Sequence, residues 1–195
     1  MKRTAALLLL AVFFGGQLTA NASEWEFDKA HTQIKFRVKH MMIANVWGQF
    51  DTFTGTVNYD PKHPEKASVS VTIDPNSVNT GTAMRDNDLR SERFFYVEKF
   101  PTATFVSKKV VKVPGGLNVI GDLTIRGVTK EITLNVEGPT DPISVFGGTK
   151  IAATAKTTIN RLDFGLNWNK TLENGGVLVS NNVDILIDAE MNEKK

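Results

Sequence analysis

The sequence predicts an all-β domain, an antiparallel sandwich or barrel of about eight strands. From residue 23 onward Val and Ile together number 29 against 9 Leu. That excess of β-branched side chains favours pleated sheet over helix. Apolar and polar residues alternate along much of the same stretch, the period of a sheet with one buried face. Clusters of Gly, Pro, Asn and Asp cut it into runs of strand length. With 41% hydrophobic and 23% charged residues in a chain of 195, the composition is that of a folded domain and excludes wholesale disorder.

The first segment is not part of that domain. Lys2 and Arg3 precede an apolar run over residues 5–14, and Ala20-Asn21-Ala22 supplies small residues before a cut after Ala22. This is the pattern of a cleavable secretory signal peptide, and its apolar run falls short of the roughly 20 residues that span a bilayer. The expected division is therefore a signal peptide at 1–22 and one domain at 23–195. Lys2 and Arg3 carry the whole of the net +2, so the processed chain is neutral. A neutral exported domain lacks the basic surface of nonspecific nucleic-acid binding. No cysteine is present, which excludes disulfides, thiolate catalysis and Cys-ligated metals. No later segment is apolar enough to be a transmembrane helix.

The strands follow in order. Residues 34–39 alternate without error. Residues 46–59 form a long run, with a bend or bulge expected at Gly48 or Gly55. After Asp60-Pro61 and Pro64 comes the alternating run 68–73. Residues 102–113 are rich in Thr and Val. Pro114-Gly115-Gly116 leads into 117–125, Arg126-Gly127 into 131–136, and the segment between Gly138-Pro139 and Gly147-Gly148 into 149–159. Asn174-Gly175-Gly176 precedes the last run, 183–188. Residues 82–92 break the pattern, with no β-branched side chain after Thr82. A short helical segment is expected around 82–96. Arg85 would face Asp88 and Asp86 would face Arg90 at helical spacing, and Thr80 or Thr82 would cap it. Phe94-Phe95-Tyr96 then reads as an aromatic plug, over one end of the barrel or beside it.

Candidate chemistry is sparse. His31 and His40, nine residues apart on one strand, would point to opposite faces roughly 30 Å apart. His63 lies in a Pro-flanked turn. No metal site is predicted, and no nucleophile elbow, zincin, P-loop or dinucleotide motif occurs. His40 shares the inward parity of Ile34, Phe36 and Val38. It reads either as a hydrogen-bonded core histidine or as a donor to a ligand head group. The same parity places 69, 71 and 73, then 117, 119, 123 and 125, then 132, 134 and 136, then 183, 185 and 187 on the inside. A solid core and an apolar pocket are equally consistent with that set.

Several ordered stretches resemble the YceI-like family. The first is Trp25, Asp28, His31, Ile34, Phe36, Val38 and His40-Met41-Met42-Ile43, followed by Val46, Gly48, Phe50, Phe53, Gly55 and Val57. Further on are Arg85-Asp86, Asp88-Leu89-Arg90-Ser91 and Phe94-Phe95, then Phe100-Pro101 and Ala103-Thr104-Phe105. The glycine-led run from Gly121 to Lys130 and the group Arg161, Asp163-Phe164-Gly165 complete the set. Asn87 stands where many relatives carry His. The resemblance implies a lipocalin-like, eight-stranded antiparallel β-barrel in the periplasm. It implies an elongated apolar pocket for a long isoprenoid chain, such as a polyprenyl phosphate or quinone tail, or another long lipid. It implies no enzymatic activity, cofactor or metal.

On that reading Phe36, Val38, Phe50, Phe53, Val71, Leu123, Leu134 and Ile185 are expected to line the lipid cavity. His40, Arg85 and Arg90 are the candidate head-group contacts, since a guanidinium suits phosphate oxygens. Two other readings compete. One is an enzyme acting on a hydrophobic substrate with His40, Asp86 and Asp88 as acid–base groups. The other is a structural or partner-binding barrel with a filled core. The oligomeric state, a dimer included, is left open.

Overall fold

A computed structural model describes residues 22–173 and 175–194. The predicted signal peptide, apart from Ala22, lies outside them. The alternating runs become twelve strands of one sheet. These are β1 (Ser23–Phe27), β2 (Gln33–His40), β3 (Ala44–Phe50), β4 (Phe53–Tyr59), β5 (Ser68–Ile73) and β6 (Val78–Asn79). After the helix α1 (Ala83–Arg90) come β7 (Ala103–Val113), β8 (Gly116–Ile125), β9 (Val128–Glu137), β10 (Ile143–Val145), β11 (Gly148–Asn160) and β12 (Val179–Glu193).

Every strand pairing is antiparallel, and the pairing of β11 with β12 closes a ring of eight strands. The ring runs β1, β4, β5, β7, β8, β9, β11, β12 and back to β1. The other strands extend its wall. β1 and β2 lie end to end along β12, which pairs with Phe27 through Met191 and with His40 through Val179. β3 and β4 likewise follow them end to end. The fold is thus a closed up-and-down barrel, and among the described residues no helix is long and apolar enough to cross a membrane.

The two long wall strands break at points that no residue pattern announces. The long run at 46–59 is interrupted at Asp51-Thr52, not at either glycine. His31 and His40 are not on one strand, because residues 28–32 leave the ladder between β1 and β2. Thr32 bridges that gap. Its buried hydroxyl donates to the Glu190 carbonyl at 2.9 Å and accepts the Glu190 N–H at 3.1 Å. The short strands β1, β6 and β10 were also missed, each too brief to show a period.

The first and last strands clasp each other. Trp25 pairs with Glu193 in the ladder. The Ser23 hydroxyl donates to Glu193 Oε1 at 2.6 Å, and Lys194 Nζ donates to Glu24 Oε1 at 2.8 Å. Beneath this clasp Trp25, Val57, Tyr59, Ile151 and Met191 form a buried cluster at one end of the barrel. A second cluster, with Phe105, Val119, Leu123, Leu134 and Ile159, runs along the wall to Phe94, Phe164 and Leu166 at the other.

Helix α1 forms where expected, but its charges do not pair with one another. Asp86 is buried and accepts the Thr80 N–H at 2.9 Å and the Thr80 hydroxyl. Asp88 pairs with Arg93 at 3.3 Å. Thr82 precedes the helix without a capping side-chain bond. The expected Arg85–Asp88 and Asp86–Arg90 pairs give way because the strap before the helix (residues 76–82) and Arg93 after it offer closer partners.

Candidate functional site: an apolar lumen under a helical lid

The inward side chains do not fill the barrel. A cavity of about 940 Å³ runs along it, toward the upper end of the roughly 300–1,000 Å³ of small-molecule sites. Every residue of the inward parity set lines it, from Ile34 on β2 to Ile187 on β12. Phe36, Val38, Phe50, Phe53, Val71, Leu123, Leu134 and Ile185 all lie on its wall. Strand period alone accounts for this, since one closed barrel has one inside.

Glycines keep the lumen open. Gly48 faces the Phe36 ring, and a Cβ there would fall 2.3 Å from the ring's edge. Gly121 and Phe105 repeat the arrangement at 2.7 Å, and Gly55 and Phe27 at 2.9 Å. Each missing side chain gives a phenyl ring a bed against the wall. The predicted bends at Gly48 and Gly55 are therefore seats for rings.

One end carries His40, Arg85, Arg93 and Arg161. There α1 and the segment after it lie across the mouth. Phe95 meets Phe50 edge-on at 5.6 Å between centroids, and Phe94 packs on Trp168 at 5.4 Å. Arg93 sits 4.6 Å above the Trp168 ring. His40 lines the cavity, and its imidazole has no hydrogen-bond partner among the described residues. Arg85 lines it too, with Nε on the Thr80 hydroxyl at 2.7 Å and Nη2 on the Thr80 carbonyl at 2.8 Å. Its Nη1 has no hydrogen bond among the described residues.

Arg90 does not reach the lumen. Its guanidinium donates to the Asn76 and Val78 carbonyls at 2.7 and 2.8 Å and to Asn87 Oδ1 at 3.1 Å. Those bonds turn it toward the strap before α1 and make it a clamp for the lid. The acid–base constellation is likewise not assembled. Asp86 does not face the cavity, and no hydrogen bond joins His40 to Asp88, whose carboxylate is held by Arg93.

The family model for the YceI-like domain matches residues 25–191. The chain belongs to the YceI-like family. A UPF0312 protein of Staphylococcus aureus (strain MSSA476) is 37% identical over 169 residues, covering 86% of this chain and 96% of the relative. The solved YCEI protein of Campylobacter jejuni is 34% identical with a TM-score of 0.69, over 86% of this chain and 96% of its own. A structure described as a polyisoprenoid binding domain from Saccharophagus degradans shares the fold. It has a TM-score of 0.62 and 18% identity, over 87% of this chain and 98% of that one.

Two features of this YceI-like barrel have roles that no spacing announced, although Asp28, His31 and Arg161 stand in the family-like stretches. Arg161 is buried at the mouth and lines the cavity. It donates to the carbonyls of Ser180 at 3.0 Å, Trp168 at 2.9 Å, Leu166 and Val179, and to Asn181 Oδ1 at 3.4 Å. No carboxylate among the described residues pairs with it. Burial pushes its pKa below the ordinary value, though an arginine stays charged in proteins. An unneutralised cation therefore stands in the wall of an apolar cavity.

The second feature lies where β1 breaks from β2. Lys150 Nζ meets Asp28 Oδ2 at 2.8 Å and Glu190 Oε1 at 2.6 Å, and His31 Nδ1 is 3.1 Å from Asp28. Asp28, His31 and Glu190 approach one another closely enough to share a cation. The ammonium of Lys150 already fills that place. The Lys150 hydrogen bond, and next that of His31, hold the Asp28 carboxyl well below the usual carboxylate range. Its hydrogen bonds to Asp28 and then to Glu190 raise the Lys150 ammonium.

Proposed function

We propose that this protein is a periplasmic binding protein, not an enzyme, that holds one long isoprenoid lipid in the barrel for carriage, storage or sequestration. The observation that carries the reading is the continuous apolar lumen, about 940 Å³ in volume, with His40, Arg85 and Arg161 at its mouth. Each CH₂ moved from water into such a slot contributes about 0.8 kcal/mol, so a long tail binds without directional contacts. The polyisoprenoid description of the Saccharophagus degradans domain supports the choice of ligand class. The signal-peptide pattern of residues 1–22 supports export.

The mouth suits an anionic head group such as a phosphate. Arg85 presents a free guanidinium nitrogen there, His40 an unpaired imidazole, and Arg161 an unneutralised charge. A charged N–H donated to a phosphate oxygen makes a shorter and stronger bond than a neutral pair does.

Native mass spectrometry of the purified protein tests this. The expected spectrum contains one lipid adduct per barrel, removed by solvent extraction. Val71→Trp, which places an indole in the lumen, should abolish the adduct while the barrel still melts cooperatively. Protein that stays free of lipid after expression in a membrane-rich host would sink the reading.

A further inference from the structure

Exposed apolar side chains collect in two places. Met41, Met42 and Ile43 form the β2–β3 turn, and Ile143 and Phe146 lie on the β10–β11 hairpin. The first group adjoins the open end of the lumen. The Met41 N–H donates to the Leu178 carbonyl at 2.7 Å, and the Ile43 N–H to the His40 carbonyl at 3.1 Å. Leu178 and His40 both line the cavity, as does Met84 on α1, which is nonetheless 81% exposed. The lumen therefore opens beside an apolar tip. The hairpin with Phe146 lies at the opposite end, beyond the start of β11.

The tip is also conformationally unfavourable as built. Met41 and Met42 have φ of 50° and 64°, a left-handed backbone that side-chain-bearing residues adopt at a cost and that Gly or Asn adopts more readily. Methionines occupy it, and the next residue, Ile43, is 80% exposed. Lys39 precedes the tip, and Lys170, whose carbonyl accepts the Leu178 N–H at 2.9 Å, stands beside it. Neither lysine forms a salt bridge among the described residues, although Lys39 lies near enough to Asp184 to lower its carboxyl. An apolar apex with a cationic collar fits an anionic lipid bilayer, with the methionines at acyl-chain depth and the ammoniums at the phosphates.

We propose that the β2–β3 turn is a membrane-docking tip that seats the open end of the lumen against an anionic bilayer surface. Its purpose, passage of a lipid between bilayer and lumen without crossing water, rests on the lipid-binding reading; its affinity for vesicles does not.

Flotation of the signal-free protein with phosphatidylcholine vesicles, with and without phosphatidylglycerol, tests it. Wild-type protein should float with the mixed vesicles and less with the neutral ones. Met42→Ser/Ile43→Ser should weaken partitioning roughly tenfold or more. Lys39→Glu/Lys170→Glu should lose the preference for anionic vesicles, and Phe146→Ser should behave as wild type. All these side chains are exposed, so each variant should keep the wild-type melting curve. The proposal is overturned if wild-type protein stays off the mixed vesicles, if Met42→Ser/Ile43→Ser floats as well as wild type, or if Phe146→Ser loses as much. Native mass spectra of the same samples separate the two ideas. A lipid adduct without flotation ends the docking proposal alone, and flotation without an adduct ends the carrier reading alone.

Discussion

Phe36 and Gly48 face each other across β2 and β3, and neither is separable from the other. Phe36 occupies the volume that any side chain at 48 would need. Gly48→Ala should therefore destabilise the fold by about 1–3 kcal/mol, the usual penalty of overpacking, and push the ring into the lumen. Chemical denaturation checks the first effect, and loss of lipid adduct the second. Asp28 gives a pH prediction. Its carboxyl is held below the unfolded value by Lys150 and then His31. A depressed folded pKa contributes stability that is fully present above the unfolded carboxylate range and is lost as pH falls through it toward the folded value. The melting temperature should thus decline from about pH 5 downward. Asp28→Asn should lower the plateau and flatten that decline. A variant with the wild-type slope would show that other carboxylates set the acid limb.

At the scale of elements, what the sequence showed and what it hid follow the range of the interaction. A period of two is local, so residues 34, 36 and 38 declared their face before any partner was known. The fate of Arg90 depends on the carbonyls of Asn76 and Val78, and that of Arg161 on four carbonyls between Leu166 and Ser180. Every residue carries a carbonyl, so no spacing announces such a partner. Asp28 is similarly silent, because Lys150 lies 122 positions away. Arg161 staples the segment after β11 to the start of β12. Arg161→Lys keeps the charge but cannot reach all three directions of the fork, and should lose about 2–4 kcal/mol in denaturant unfolding. Arg90→Ala should instead loosen α1 against its strap. Lipid exchange between labelled and unlabelled vesicles should speed up, with little change in melting temperature.

Across the whole molecule, the ring and its lid should differ in local stability. The barrel strands pair on both sides, whereas α1 and the segment after it rest on side-chain clamps, on Leu89 against the core and on two aromatic contacts. Amide hydrogen exchange should be fastest at residues 80–100 and slowest in β7, β8, β11 and β12, as expected when openings follow cooperative units. The clasp between β1 and β12 has a consequence for how the molecule comes into being. Whichever terminus is made first must wait for the other, because the seam joins the beginning of the domain to its end. A growing chain can zip hairpins from β7 to β9, but the tube stays an unrolled sheet until β12 is free, so closure waits for the last strand of the barrel. Since Glu24 and Lys194 already touch, the order of the chain is incidental to the tube. Tying those ends with a short linker and opening the exposed turn at Gly115 would present the same cylinder with a different birth order.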